Sequence, residues 1–283
     1  MTIQTQNDYQ IEGNSAIPKE LKDLFPIIGN LTYNKLGKEV LARHNEKFKG
    51  KKGIEDKTPY EEGQPISFSN VPRVLSYNQI MRELTEGRIR GLDIVEFVRY
   101  WDLIPNKSST YADSVSISLF PNEGPNEDLR KKVLGIIGKP ATLVPLLVSG
   151  LGVDPADNKY GFTFIKTDYL DKAEAPILKE DGRISHDPKK GFSKSEEGVQ
   201  IWTPSDQSGL CRACRFGGDG LDFNYDNLLN SSEDGRVQVI QDPVGSEKNL
   251  DALVAKFEAE RNQALEQARR YKGAIKLAKT GKL

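Results

Sequence analysis

The sequence predicts an α+β fold in three parts: a helical region with a polar N-terminal arm over residues 1–105, a mixed α/β region with a small, mainly antiparallel sheet over 106–245, and a long amphipathic C-terminal helix over 246–283. Three observations carry that expectation. Apolar residues recur at spacings of three and four between Tyr77 and Ile104, alternate with serine between Ser114 and Phe120, and return to a four-and-three rhythm from Leu250 to Ile275.

The arm through Gly13 is polar, with Ile3, Tyr9 and Ile11 as its apolar anchors. Pro18 suits a first helical turn, and Leu21, Leu24, Phe25 and Ile28 follow at helical spacing until Gly29-Asn30. Leu36, Val40 and Leu41 predict a second helix running toward His44, followed by a connection through Gly63. From Ser76 the residues Tyr77, Ile80, Met81 and Leu84 predict a helix capped by Gly87, and Leu92, Val95, Phe97, Val98, Trp101 and Ile104 a second one stopped by Pro105. The short connection between them predicts an αα-hairpin.

After Asn106 the character changes. Val115, Ile117 and Leu119 alternate with Ser114, Ser116 and Ser118, the pattern of a half-buried strand. Asn126 is placed to cap a helix containing Leu129, Val133, Leu134 and Ile137. Strands are expected at Leu143 to Val148, Tyr160 to Thr167, Val199 to Trp202 and Gly235 to Asp242. Lys179 to Gly198 reads as polar and turn-rich, and Ser205 as the cap of a brief helix through Cys214. The final helix, capped by Ser246, carries the seam Leu250, Val254, Phe257, Arg261, Ala264, Ala268, Tyr271 and Ile275, a heptad pattern about 40 Å long at ~1.5 Å per residue.

Composition excludes several classes of function. Forty Lys and Arg stand against 41 Asp and Glu, so wholesale coating of nucleic acid is not expected. No run reaches the ~18 apolar residues of a membrane span, and the first residues lack a basic stretch and an apolar stretch of the export type. A cytoplasmic protein without a membrane partner is expected. Two Cys and two His leave little material for a disulfide framework or a four-ligand zinc site.

The candidate sites are few. Asp222, Asn224, Asp226, Asn230 and Glu233 fall at loop positions one, three, five, nine and twelve of a stretch that resembles an EF-hand calcium loop. Such spacing can aim oxygens at Ca2+ or another divalent cation. Asn227 stands where glycine is usual, and the glycines before and after the stretch leave no room for flanking helices. Cys211 and Cys214 form a CxxC pair which, on a helix, shares one face. Asp154, Asp157 and Lys159 match the residue types of an acidic, metal-dependent nuclease site. Between Lys35 and Gly53 seven Lys and Arg face two Glu, and Lys47, Lys49, Lys51 and Lys52 with Arg269 and Arg270 form two basic patches suited to phosphates. No nucleophile stands in a recognisable catalytic motif. The expected function is a non-enzymatic interaction or scaffold protein that assembles, with itself or another protein, through its termini. A nucleic-acid-binding or nucleic-acid-processing protein is the alternative, and a calcium-binding module a further one.

Overall fold

A computed structural model describes residues 9, 11, 26–105, 110–218, 220–243 and 263. The chain divides into two units, one of Met1–Ala16 and Ile27–Asp242, the other of Ile17–Pro26 and Pro243–Leu283. The first unit contains all the elements described below.

That unit is mostly β, which corrects the α+β expectation. Its strands are β1 (Ile27–Asn30), β2 (Ile89–Gly91), β3 (Tyr111–Leu119), β4 (Leu146–Ser149), β5 (Gly152–Pro155), β6 (Phe162–Ile165), β7 (Asp171–Glu174), β8 (Gly182–Asp187), β9 (Gly191–Lys194), β10 (Val199–Trp202), β11 (Leu210–Phe216), β12 (Gly220–Tyr225), β13 (Gly235–Arg236) and β14 (Gln238–Gln241). Among the described residues there are four α-helices, α1 (Lys35–Lys47), α2 (Val71–Thr85), α3 (Ile94–Arg99) and α4 (Glu127–Ile136). The described residues contain no long C-terminal helix, and the seam from Leu250 to Ile275 lies outside them.

Nine strands form one sheet in the order β7-β4-β3-β11-β12-β10-β8-β9, with β13 beside β3. Residues 175–181 carry the chain from β7, at one edge, to β8, next to the other edge. Six strand steps at ~4.8 Å would span about 29 Å on a flat sheet. This connection includes a 3-10 turn at Pro176–Lys179 and reaches only about 22 Å, at ~2.0 Å per residue in the turn and ~3.4 Å elsewhere. The sheet therefore curls into a half-barrel. Order β1-β14-β2 gives a second, three-stranded sheet, and β5 pairs with β6.

The two faces of the curl have separate cores. Val115, Ile117 and Leu119 of β3 join α1, α2, α4 and the β5–β6 hairpin in one cluster. Ala112 and Phe120 face the other way, with Leu147, Leu178, Ile201, Cys211, Phe223 and the α3 residues Ile94, Phe97 and Val98. So β3 is buried on both faces rather than one. Its serines can be buried because each hydroxyl is bonded: Ser114 Oγ donates to Ala213 O at 2.7 Å, Ser118 Oγ donates to Cys211 O at 3.2 Å, and Ser116 Oγ accepts from Ile94 N at 3.2 Å. Ser116 Oγ also meets Ser149 Oγ at 2.6 Å. Small side chains there let α3 lie close against the sheet.

Several local expectations need correction. Ile28 to Asn30 belongs to a strand, not to a helix end. Helix α2 begins at Val71, because Asn70 caps it by accepting from Arg73 N at 3.1 Å and Pro72 fits its first turn. The αα-hairpin is interrupted by β2, which pairs with β14 across some 150 residues, and the second helix shrinks to α3, held by a reciprocal Asp93–Glu96 capping box. The helix expected through Cys214 is the strand β11, and the stretch after Lys179 forms the β8–β9 hairpin.

Candidate functional site

Two residues of the sequence-predicted acidic stretch and one cysteine of the CxxC pair meet on one face of β11 and β12. Tyr111, Arg212, Cys214, Phe216, Asp222, Asn230 and Ser232 enclose a pocket of about 150 Å³. Its floor is an ion pair. Arg212 Nε and Nη2 each lie 2.6 Å from an oxygen of Asp113, and Ser69 Oγ donates to the same carboxylate at 3.1 Å. Both charged side chains are almost wholly buried, at 3% and 0% exposure. The carboxylate beside Arg212 holds its guanidinium protonated against the cost of burial. The Tyr111 hydroxyl accepts from Ser232 N and donates to Ser69 O, both at 2.9 Å. Phe216 stands at the rim, 58% exposed.

Of the predicted cation ligands, Asp222 and Asn230 line this pocket, while Asn224, Asp226 and Glu233 do not. Asp222 and Asn224 are part of strand β12, and Asp222 Oδ1 is taken by Asn224 N at 2.7 Å. Burial raises the Asp222 carboxyl above the usual range. Arg212 Nη1 donates to the backbone oxygen of Asn230 at 2.8 Å and to that of Asn227 at 3.4 Å. These carbonyls already face a cation, the guanidinium. Among the described residues, no group of three or more His, Cys, Asp or Glu is arranged to hold a metal ion.

The two cysteines lie on opposite faces of β11, not on one helix face. Cys211 packs in the core that holds α3, and Cys214 lines the pocket on the other face. Both are free thiols, and burial pushes Cys211 up to about 12 and raises Cys214 strongly as well. Neither is a thiolate nucleophile near neutral pH.

The first basic patch is partly consumed by the fold. Lys47 Nζ lies 2.9 Å from Asp154 and donates to Gln79, and Lys51 Nζ donates to Ala156 O at 2.9 Å. Lys49 and Lys52 remain exposed, Lys52 beside a cleft of about 590 Å³. Arg269 and Arg270 lie outside the described residues. Of the Asp154, Asp157 and Lys159 triplet, Asp154 pairs with Lys47, and Lys159 faces Asp128 at 3.7 Å.

No family model matches the chain, and no curated protein or solved structure is detectably similar to it. No helix of the described residues is long and apolar enough to cross a membrane.

Sequence reasoning missed a second polar cluster. Asp56, 2% exposed, accepts from Tyr60 OH at 3.0 Å, Tyr77 OH at 3.1 Å and Thr58 N at 3.0 Å. Arg73 donates to the carbonyls of Ile54, Phe68 and Glu55 at 2.8–2.9 Å. His44 is fully buried, with Nε2 2.9 Å from Ile54 O and Nδ1 2.9 Å from Ser76 Oγ. A carbonyl only accepts, so Nε2 carries the proton and Nδ1 accepts from Ser76. Burial lowers the imidazole to about 4 and keeps it neutral. The cluster fastens residues 54–68 to α1 and α2. For the first site the one signal was a charge inside a run of small and apolar residues, Arg212 between Cys211 and Ala213.

Proposed function

We propose that the protein is a non-enzymatic interaction or scaffold protein, joining itself or another protein through the C-terminal seam of Leu250, Val254, Phe257, Arg261, Ala264, Ala268, Tyr271 and Ile275. One observation carries this reading. The chemically versatile groups His44, Cys211, Cys214, Asp113 and Arg212 are turned inward and spent on hydrogen bonds or packing that hold loops to the frame. A frame of this kind supports display of the terminal segments more readily than turnover. In the sequence, the apolar seam with Ala264 and Ala268 between larger residues offers a partner a contact surface.

Light scattering of the full chain tests the proposal. The wild type is expected to show an integral multiple of the 31.6 kDa chain mass, and the variant Val254→Glu with Phe257→Glu a single chain mass. A single chain mass for both removes self-association. A second reading, nucleic-acid binding, draws on the exposed Lys49 and Lys52. It requires affinity for DNA or RNA that falls steeply with salt, and no binding at low ionic strength removes it.

A further inference from the structure

A different place in the molecule holds a cation without a matching acceptor. Arg82 lies in the last turn of α2, half-buried, with its guanidinium 4.3 Å from the centre of the Tyr169 ring. Its Nε is buried and meets no acceptor, and the buried hydroxyl of Tyr169 also has no hydrogen-bond partner among the described residues. Arg73, Arg130 and Arg212, by contrast, spend their guanidinium groups on carbonyl or carboxylate oxygens. Burial and the like charge of Arg90 both work against the charged form of Arg82. The helix C-terminus and the ring stack offset part of that cost, but neither supplies an in-plane acceptor to the fork.

Arg82 and Tyr169 open on a cavity of about 430 Å³, also walled by Gln79, Glu83, Lys166 and Asp168. That volume is in the range of small-molecule sites. Its far wall is pinned: the Thr167 hydroxyl bonds the carbonyl of Gly150, and Gly150 sits at φ +74 against the backbone of Tyr169. Any side chain at Gly150 would overlap Tyr169 O, so the wall is built in place.

We propose that this cavity binds a small molecule bearing a carboxylate or phosphate group, received by the Arg82 fork over the Tyr169 ring with Lys166 as the second cation. A planar guanidinium accepts either anion through two parallel N–H donors, the geometry Arg82 leaves unused. Glu83 and Asp168 on the same wall disfavour a bare polyanion and favour a ligand whose remainder carries donors or positive charge.

Titration calorimetry on the full chain tests this with two probes that pair an anion with an ammonium group, phosphoethanolamine and β-alanine, against sodium chloride at matched ionic strength. Saturable binding of one probe is expected, and which one binds separates phosphate from carboxylate chemistry. Arg82→Gln weakens it by about tenfold or more, the worth of a charge-assisted fork, and Arg82→Lys recovers part. Lys166→Gln, which removes the second cation from an exposed position, weakens it as well and decides the matter if Arg82→Gln does not fold, unchanged affinity then overturning the proposal. Absence of saturable binding by either probe overturns the proposal, as does an Arg82→Gln chain that binds as tightly as the wild type.

Discussion

Acidification tests the buried His44 most directly. Its folded value of about 4 lies well below the ordinary 6.5. Between those values the unfolded chain binds a proton that the native chain refuses, so stability falls as pH drops from about 6.5 toward 4. Integrated from pH 6.5 to 4.5, the loss is about 2 kcal/mol at ~1.36 kcal/mol per unit. Glu96 acts in the opposite sense. Burial, then the neighbouring Asp93, raises its carboxyl to about 7, against the opposing pull of Arg90 2.7 Å away. The native chain keeps this proton where the unfolded chain has lost it, so stability falls as pH rises from about 4.5 to 7, again by about 2 kcal/mol between 4.5 and 6.5. In the wild type the two nearly cancel, and single variants expose them. Urea unfolding at stepped pH should show the stability difference between wild type and His44→Gln changing by about 2 kcal/mol between pH 4.5 and 6.5, with the variant gaining relative stability in acid. Glu96→Gln should give a change of similar size and opposite sign. Parallel pH profiles for wild type and His44→Gln would refute the assignment of a buried, neutral imidazole.

Asp113→Asn leaves the Arg212 charge buried without its counter-ion and should cost about 3–5 kcal/mol in urea unfolding, whereas a loss below about 1 kcal/mol would mean the pair is not sealed as described. Cys211 and Cys214 should resist a thiol reagent such as Ellman's in the native chain and both react once it is unfolded. Rapid labelling of the folded protein would contradict their burial.

Where local chemistry decides, the sequence was legible. Helix α1 follows from Leu36, Val40 and Leu41, with Asn34 accepting from Leu36 N and Gly37 N as its cap. Strand β3 follows from its alternation, α4 from its periodicity after Asn126, and β10 and β14 from their β-branched residues. Asn126 itself caps nothing with its side chain; its amide donates instead to the carbonyls of Leu210 and Asp226. The failures share one cause, long-range pairing. Strand β11 hides its alternation because Arg212 and Arg215 occupy buried positions whose partners, Asp113, Thr110 and Gln238, lie elsewhere in the chain. Strand β2 is three residues long and becomes a strand through β14. In the candidate site the composition of the acidic stretch was legible, and Asp222 and Asn230 do share a pocket. An arginine facing its carbonyls was not legible from spacing.

The edges of this architecture also impose an order in time. Strand β1 ends at Asn30 and its partner in β14 begins at Gln238, more than 200 residues later. The centre of the large sheet, β3 with β11, joins residues about 100 apart. At ~5–20 residues per second a ribosome takes about 10–40 s to supply β14 after β1 has emerged. The helices α1 and α2 gain β3 and the β5–β6 hairpin as cover well before then, but β1 and β2 have no strand to pair with until β14 arrives, so their edges stay open for the whole interval.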